Sequence, residues 1–301
     1  MSEELAKCDF FGYLPCDWII EFNGGRISPI AEFDKVTTWV AKSTNQDGFI
    51  YPPIERQMKW DMSTKKYLGE VPKSKRPALL HRIPASHKLC LYSLGEAEDI
   101  RKGLGSLIIH LLAYLFGVRL QFFDWWFDGR VPTKSTHNVH FTKETVENFI
   151  SHCYQTWSNW DEEEKKLIIN VLYMHSRVPS YEWDWEQFMI EYMVLDGCYN
   201  LAKRLHGFVA KKHQDRIKTL CQKFGIPLKE ELISDIVQLR NDLFHETFWD
   251  RSLPCTASSD SAFMSSYHLR RLNQRLIPAL FAYNTPYVKT KWWHFGTFSF
   301  K

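Results

Sequence analysis

The residues best suited to chemistry lie near position 240, where the chain contains the run Gln238-Leu-Arg-Asn-Asp-Leu-Phe-His-Glu246. On a helix, Asn241 and His245 share one face, and the Arg240 side chain is long enough to reach the same patch. Arginine presents a fixed fork of donors that suits phosphate, and histidine exchanges a proton near neutral pH. The spacing therefore predicts a site where a guanidinium, an amide and an imidazole converge at the end of a helix.

The pattern Arg240-Asn241-x-x-x-His245 resembles the motif of the HEPN domains, which is an Arg, a polar residue and then a His. HEPN domains are small helical bundles, and many are metal-independent ribonucleases. A second segment, Phe188 to Leu201, is similar to their early amphipathic helix, and Asp196 stands at its acidic position, where Glu is more common. The resemblance covers roughly residues 145–285. Together with a β-rich front half, this layout resembles the ApeA-type abortive-infection proteins of bacterial antiviral defence.

The resemblance implies an endoribonuclease toxin that uses no metal and no other cofactor. Arg240 would stabilise charge on the phosphoryl oxygens, and His245 would act as a base or an acid. Asn241 would orient the imidazole or the phosphate, and Asp196 would support the site from a second helix. The 2′-OH of RNA would attack the adjacent phosphorus and leave a 2′,3′-cyclic phosphate and a 5′-hydroxyl. The family places two copies of the motif around one cleft, so a homodimer is implied, with a phage component or an antitoxin as a further partner.

Other interpretations of the same residues remain open. Arg240 alone could form a structural salt bridge, and a cation at His245 would be favoured by the dipole at a helix C-terminus. At the level of function, the alternative is a non-catalytic helical module that binds RNA or protein, or that a partner nucleotidyltransferase modifies. Burial of Arg240 and His245 in a monomer core would favour this alternative, whereas an open cleft would favour the enzyme.

A basic segment joins the two family-like helices. Residues 202–229 contain eight Lys or Arg against one acid, Asp215, which is the largest charge imbalance in the chain. Clustered cations bind the phosphate backbone of nucleic acids, although a solvated helical face would have a similar composition. The predicted RNA-binding residues are Lys203, Arg204, Lys211, Lys212 and Arg216.

The elements that must position these residues differ between the two parts of the chain. Before residue 95, short β-branched and aromatic runs predict strands, and Asn23-Gly24-Gly25 predicts a turn. The predicted strands include 18–22, 36–40, 48–51 and 88–94. A buried helix is predicted over 96–117, with acidic residues in its first turn. Helices are predicted from 142 onward, at 142–157, from Asp161 to about 178, and at 185–205, 208–224, 229–245 and 261–283.

The predicted fold is therefore α+β. A β-rich regulatory or sensor domain occupies residues 1–140, and a helical HEPN-like domain occupies residues 141–301 and ends in an aromatic tail. The tail, from Trp292 to Phe300, contains so many rings that we expect it to pack back on the body.

Composition narrows the class of protein. The chain has 301 residues, is 45% hydrophobic and carries a net charge of +3, which excludes a tail-driven nucleic-acid binder. Its seven scattered cysteines contain no C-x-x-C pair, so we expect reduced thiols, no disulfide framework and no metal site. The charged N-terminus does not resemble a signal peptide, and the longest apolar run is too short for a membrane span. We therefore expect a cytoplasmic protein that does not associate with membranes.

Overall fold

The computed structural model describes residues 6–52, 58–72, 80–92, 94–95, 97–249 and 260–301. Within these ranges most strands precede residue 133 and six of the α-helices follow residue 142, so the protein is α+β. None of the helices in these ranges combines the length and the apolar character needed to cross a bilayer.

The strands are short, and those of the main sheet come from the first 122 residues. Five of them form an antiparallel sheet in the order β2-β3-β8-β1-β9. The predicted turn at Asn23 and Gly24 joins β2 to β3 and places Ile20 opposite Ile27. The strands are β1 (Lys7–Gly12), β2 (Ile20–Phe22), β3 (Gly25–Pro29), β4 (Phe49–Ile50), β5 (Met58–Asp61), β6 (Lys66–Glu70), β7 (Leu80–His81), β8 (His87–Leu91), β9 (Gln121–Phe122), β10 (Phe127–Asp128), β11 (Val131–Pro132), β12 (Val139–His140) and β13 (Phe298–Ser299).

Cys8 and Cys90 form a disulfide between strands β1 and β8, where they lie directly opposite each other. The prediction of reduced thiols is wrong for this pair. The sequence separates the two positions by 82 residues, and only the pairing of the strands brings them together. Four further cysteines, at positions 16, 153, 198 and 221, are free, and Cys255 lies outside the described residues.

Two predicted elements of the N-terminal part are wrong in type or extent. Residues 36–40 lie in helix α1 (Phe33–Ser43) and not in a strand, because Val36 and Val40 are four residues apart and bury the same helical face. Helix α2 (Leu104–Phe116) is almost entirely buried, as predicted, but it starts after Gly103. The acidic residues expected in its first turn therefore precede the helix, apart from Glu96, which lies outside the described residues.

Six further helices follow in the described part of the chain, and two of their N-termini were predictable from the sequence. Thr142 caps α3 through the Thr145 N–H, and Asp161 and Glu164 form the predicted capping box of α4. Helix α5 packs between α4 and α8, while α6 and α7 pack on each other. The helices are α3 (Lys143–Ser158), α4 (Glu162–Arg177), α5 (Asp184–His206), α6 (His213–Phe224), α7 (Glu230–Asn241) and α8 (Asp260–Leu280).

One hydrophobic core extends from the sheet into the helices. It includes Phe11 and Leu89 of the sheet together with Leu172 and Leu195 of the helices. The aromatic tail packs back on the body, as expected, because β13 pairs with β12 and Phe300 is fully buried. The division into domains at residues 140 and 141 stays a prediction.

Candidate functional site

Helix α7 ends in a single π-helical turn, Asp242–Glu246. In a regular α-helix, residues five apart point about 140° away from each other. The wider π turn brings position 245 back towards position 240, and such turns are frequent at functional sites. Thr247 ends the turn with a φ of 61°, and its N–H donates to the Asp242 carbonyl. The backbone of this turn, rather than a regular helical face, places Arg240 beside His245.

The three side chains that the motif singles out are in contact. Arg240 Nη1 donates to Asn241 Oδ1 at 3.1 Å and to His245 Nε2 at 2.8 Å. Because a guanidinium only donates, Nε2 is the accepting nitrogen of this bond, and Nδ1 is the nitrogen left to carry a proton. Arg240 is half-buried, whereas His245 is exposed to solvent. The pair is therefore accessible from outside the protein and is not enclosed in its core.

Two aromatic rings hold the guanidinium of Arg240. Its Cζ lies 5.1 Å from the ring centre of Phe244 and 5.9 Å from that of Tyr192, within the range of cation–π attraction. Tyr192 belongs to α5 and is only 2% exposed, whereas Phe244 lies in the π turn and is 43% exposed. The guanidinium thus connects the end of α7 to the middle of α5.

A second imidazole, which the sequence analysis missed, joins this group. His213 is the first residue of α6, and its Nδ1 lies 3.0 Å from the hydroxyl of Tyr192. Partial burial lowers the pKa of His213, and the charge of Arg240 lowers it further, with smaller effects from nearby groups. Burial raises the pKa of Tyr192, so its phenol stays protonated at neutral pH. The only signal in the sequence is that His213 directly follows Lys211 and Lys212 in the basic segment.

Asp196 reaches the site indirectly. It lies one helical turn after Tyr192 on α5, and its Oδ1 accepts a hydrogen bond from Arg216 Nη1 at 3.0 Å. Its charge raises the pKa of His213 and thereby opposes the nearby cations. We call the whole group the Arg240 cluster, and its members are Tyr192, Asp196, His213, Arg216, Arg240, Asn241, Phe244 and His245.

The five predicted RNA-binding residues lie at the end of α5, in the connection to α6 and within α6. Lys211 and Lys212 are exposed and border the Arg240 cluster next to His213. Arg216 belongs to the cluster but pairs with Asp196. Lys203 is exposed and Arg204 pairs with Glu163 of α4 at 2.5 Å; both lie about two helical turns beyond Asp196 on α5. The structure therefore brings three of the five to the site.

No group of three or more His, Cys, Asp or Glu side chains that could hold a metal ion lies within the described ranges. Comparison with known proteins finds no matching family model, no matching curated protein and no matching solved structure. The function is therefore inferred from the chemistry of the Arg240 cluster.

Proposed function

We propose that the protein is a metal-independent endoribonuclease with a HEPN-like helical domain. The observation that carries this proposal is the contact of 2.8 Å between Arg240 Nη1 and Nε2 of the exposed His245. A guanidinium binds a phosphodiester and stabilises the charge that develops on it, while an adjacent imidazole transfers a proton. Both groups are needed at one phosphate, and here they occupy one accessible patch.

The 2′-OH of RNA is itself the nucleophile, so the protein needs to supply only proton transfer and charge stabilisation. The 2′-oxygen forms a bond to the adjacent phosphorus as the bond from phosphorus to the 5′-oxygen breaks. A base takes the proton of the 2′-OH, and an acid gives a proton to the departing 5′-oxygen. The products are a 2′,3′-cyclic phosphate and a 5′-hydroxyl, and no water is consumed.

Substrate binding itself would free the imidazole. Without RNA, Arg240 occupies the lone pair of His245 Nε2. A phosphate forms a charge-assisted hydrogen bond that is stronger than the bond to a neutral imidazole. A bound phosphate would therefore draw the guanidinium away and release Nε2 for proton transfer.

The wider biological role belongs to the same proposal. Two copies of the Arg240 cluster would face each other in a homodimer, with Lys211 and Lys212 guiding the RNA backbone to the cleft. The N-terminal part would restrain or target the nuclease until a phage component or the loss of an antitoxin activates it. In this proposal the protein is a cytoplasmic toxin of abortive infection.

The experiment is incubation of mixed RNAs in chelator with wild-type protein and with His245→Ala and Arg240→Ala variants, followed by end-group analysis. We expect the wild type to produce 2′,3′-cyclic phosphate ends and each variant to lose about 100-fold or more in rate. His206→Gln is a matched control, because His206 stacks on Phe208 outside the cluster. Undiminished cleavage by His245→Ala, or cleavage that requires a divalent ion, would contradict the proposal. Wild-type protein that binds RNA without cleaving it would favour the non-catalytic module.

A further inference from the structure

RNA cleavage moves two protons, one from the 2′-OH and one to the 5′-oxygen, and therefore calls for two proton-transfer groups. The motif around Arg240 supplies a single histidine, which is why a second copy of the chain is needed in the proposed homodimer. The structure places another imidazole, that of His213, in the same cluster of the same chain.

Tyr192 is the residue through which the two imidazoles are connected. Its hydroxyl lies 3.0 Å from His213 Nδ1, and its ring lies 5.9 Å from the guanidinium carbon of Arg240. Arg240 in turn donates to His245 at 2.8 Å. The histidines thus come from the start of α6 and from the π turn, and both border one guanidinium. His213 is half-buried and His245 is exposed, so neither is sealed in the core.

The groups facing His213 come from every element packed around it. Helix α5 contributes Tyr192 and Asp196, α6 contributes Arg216, and the end of α7 contributes Arg240 and His245. Partial burial of the imidazole disfavours its charged form, and the cations, which outnumber the single carboxylate, act in the same direction. The pKa of His213 is lowered as a result, so its imidazole is neutral at neutral pH. A neutral imidazole is the form that can accept a proton.

We infer that His213 accepts the proton of the 2′-OH and that the imidazolium form of His245 gives its proton to the 5′-oxygen, with Arg240 on the phosphate between them. Tyr192 is a positioning residue, because its hydroxyl can accept from Nδ1–H of His213 and so leave Nε2 free to act as the base. After the step His213 carries an extra proton and His245 lacks one, and exchange with water restores both. The inference rests on the proposed ribonuclease function, and it makes one protomer sufficient for the chemistry.

The test compares initial rates of RNA cleavage from pH 5 to 9, in chelator, for wild type, His213→Gln, Tyr192→Phe and the His206→Gln control. A base and an acid together give a bell-shaped profile. We expect His213→Gln to lose about 100-fold in rate and to lose the rise on the acidic side. Tyr192→Phe keeps the ring and should retain affinity for RNA, but its acidic rise should move to lower pH, because a hydroxyl that accepts from Nδ1–H favours the imidazolium.

Mixing two inactive variants distinguishes catalysis within one protomer from catalysis shared between two protomers. If both imidazoles act within one chain, a mixture of His213→Gln and His245→Ala stays inactive, because no protomer carries both groups. Recovery of activity on mixing would overturn the inference and place the two histidines on opposite subunits.

Two further outcomes distinguish this inference from the proposed function. If His245→Ala is inactive while His213→Gln and Tyr192→Phe keep the wild-type rate and both limbs of the profile, the inference is wrong and the proposed function survives. If the wild type cleaves no RNA, the proposed function fails first and the inference fails with it. Circular dichroism of each variant checks the fold, and Tyr192→Phe provides the test if His213→Gln does not fold.

Discussion

Two clusters of charged residues lie on different faces of helix α5, and they are built from the same kinds of side chain. The inner cluster contains Glu191, which pairs with His175 Nδ1 at 3.1 Å and accepts from Asn273 Nδ2 at 2.7 Å. The outer one is the Arg240 cluster, which starts at the very next residue, Tyr192. Both contain a carboxylate, at least one histidine and an arginine, which in the inner cluster is Arg270 at 3.9 Å from Glu191, so their composition does not distinguish them.

Access to water distinguishes them. Glu191, His175 and Asn273 are all fully buried between α4, α5 and α8, so no polynucleotide reaches them and their pairing holds helices together. In the Arg240 cluster His245 is exposed, and the hydrogen bond it accepts from Arg240 can be exchanged for one to a ligand. An acid, a histidine and an arginine in contact are therefore a candidate site only where solvent can replace one of the contacts.

The largest expected effect is on stability, and it differs between Glu191 and Asp196, the acids that α5 contributes to the two clusters. Glu191→Ala leaves His175, Asn273 and the nearby Arg270 without their carboxylate, and it should lower the free energy of unfolding by about 3–5 kcal/mol. Asp196→Ala removes a partly exposed pair with Arg216, and it should cost no more than about 1 kcal/mol. Urea unfolding of both variants measures the difference. Equal losses of stability would mean that the difference in burial does not give the two acids different structural roles.

A second prediction concerns buried histidines and acid. Burial lowers the pKa of His110 in α2 to about 4, with a smaller effect from Arg119. Since the unfolded chain binds a proton near pH 6.5 and the folded chain does not, this contribution to stability is present above pH 6.5 and is lost towards pH 4. His110→Phe keeps a ring against Tyr173 and removes the titration. Between pH 7 and 5 the wild type should lose about 2 kcal/mol more than the variant in denaturant unfolding.

Equal losses in wild type and His110→Phe would show that His110 is not held neutral in the fold. The result also sharpens the comparison between the clusters. Histidines sealed in the core should govern stability in acid, whereas His213 and His245 should govern the rate of cleavage.

The smallest expected effect is on RNA affinity. Lys211 and Lys212 are exposed beside the Arg240 cluster, whereas Arg204 is engaged by Glu163. In a His245→Ala background, replacing both lysines by Ala should reduce the slope of log affinity against log salt by about 1.4, the value for two phosphates of a single strand. Arg204→Ala is the control and should change the slope less. Fluorescence anisotropy with labelled single-stranded RNA measures both, and equal changes would mean that the charge is diffuse.

Features encoded by neighbouring residues were predictable from the sequence. The start of α4 follows from Asp161 and Glu164 because a capping box is complete within four residues, and the hairpin of β2 and β3 follows from its Asn-Gly turn. The contact of Arg240 with His245 was also expected, although the turn that produces it was not. Nothing in residues 242–246 distinguishes a π turn from a continued α-helix.

Features that depend on tertiary packing were not predictable. His213 joins the cluster only because α6 packs beside α5 and α7, and Cys8 meets Cys90 only through strand pairing. The error at residues 36–40 has a different cause. Val36 and Val40 favour a strand by their branching, but burial of one helical face against Ile50 and Ile83 outweighs that preference.

The π turn makes the meeting of guanidinium and imidazole depend on main-chain register. If the backbone hydrogen bonds of residues 242–246 changed from the π pattern, which joins residues five apart, to the α pattern, which joins residues four apart, the sequence of side chains would be unchanged. Position 245 would nevertheless rotate away from position 240. Replacements that favour the tighter helix, such as alanine at the exposed Glu246, would then separate the pair without removing either partner. The spacing of backbone amides along this short stretch is thus as much a component of the site as the groups that it presents.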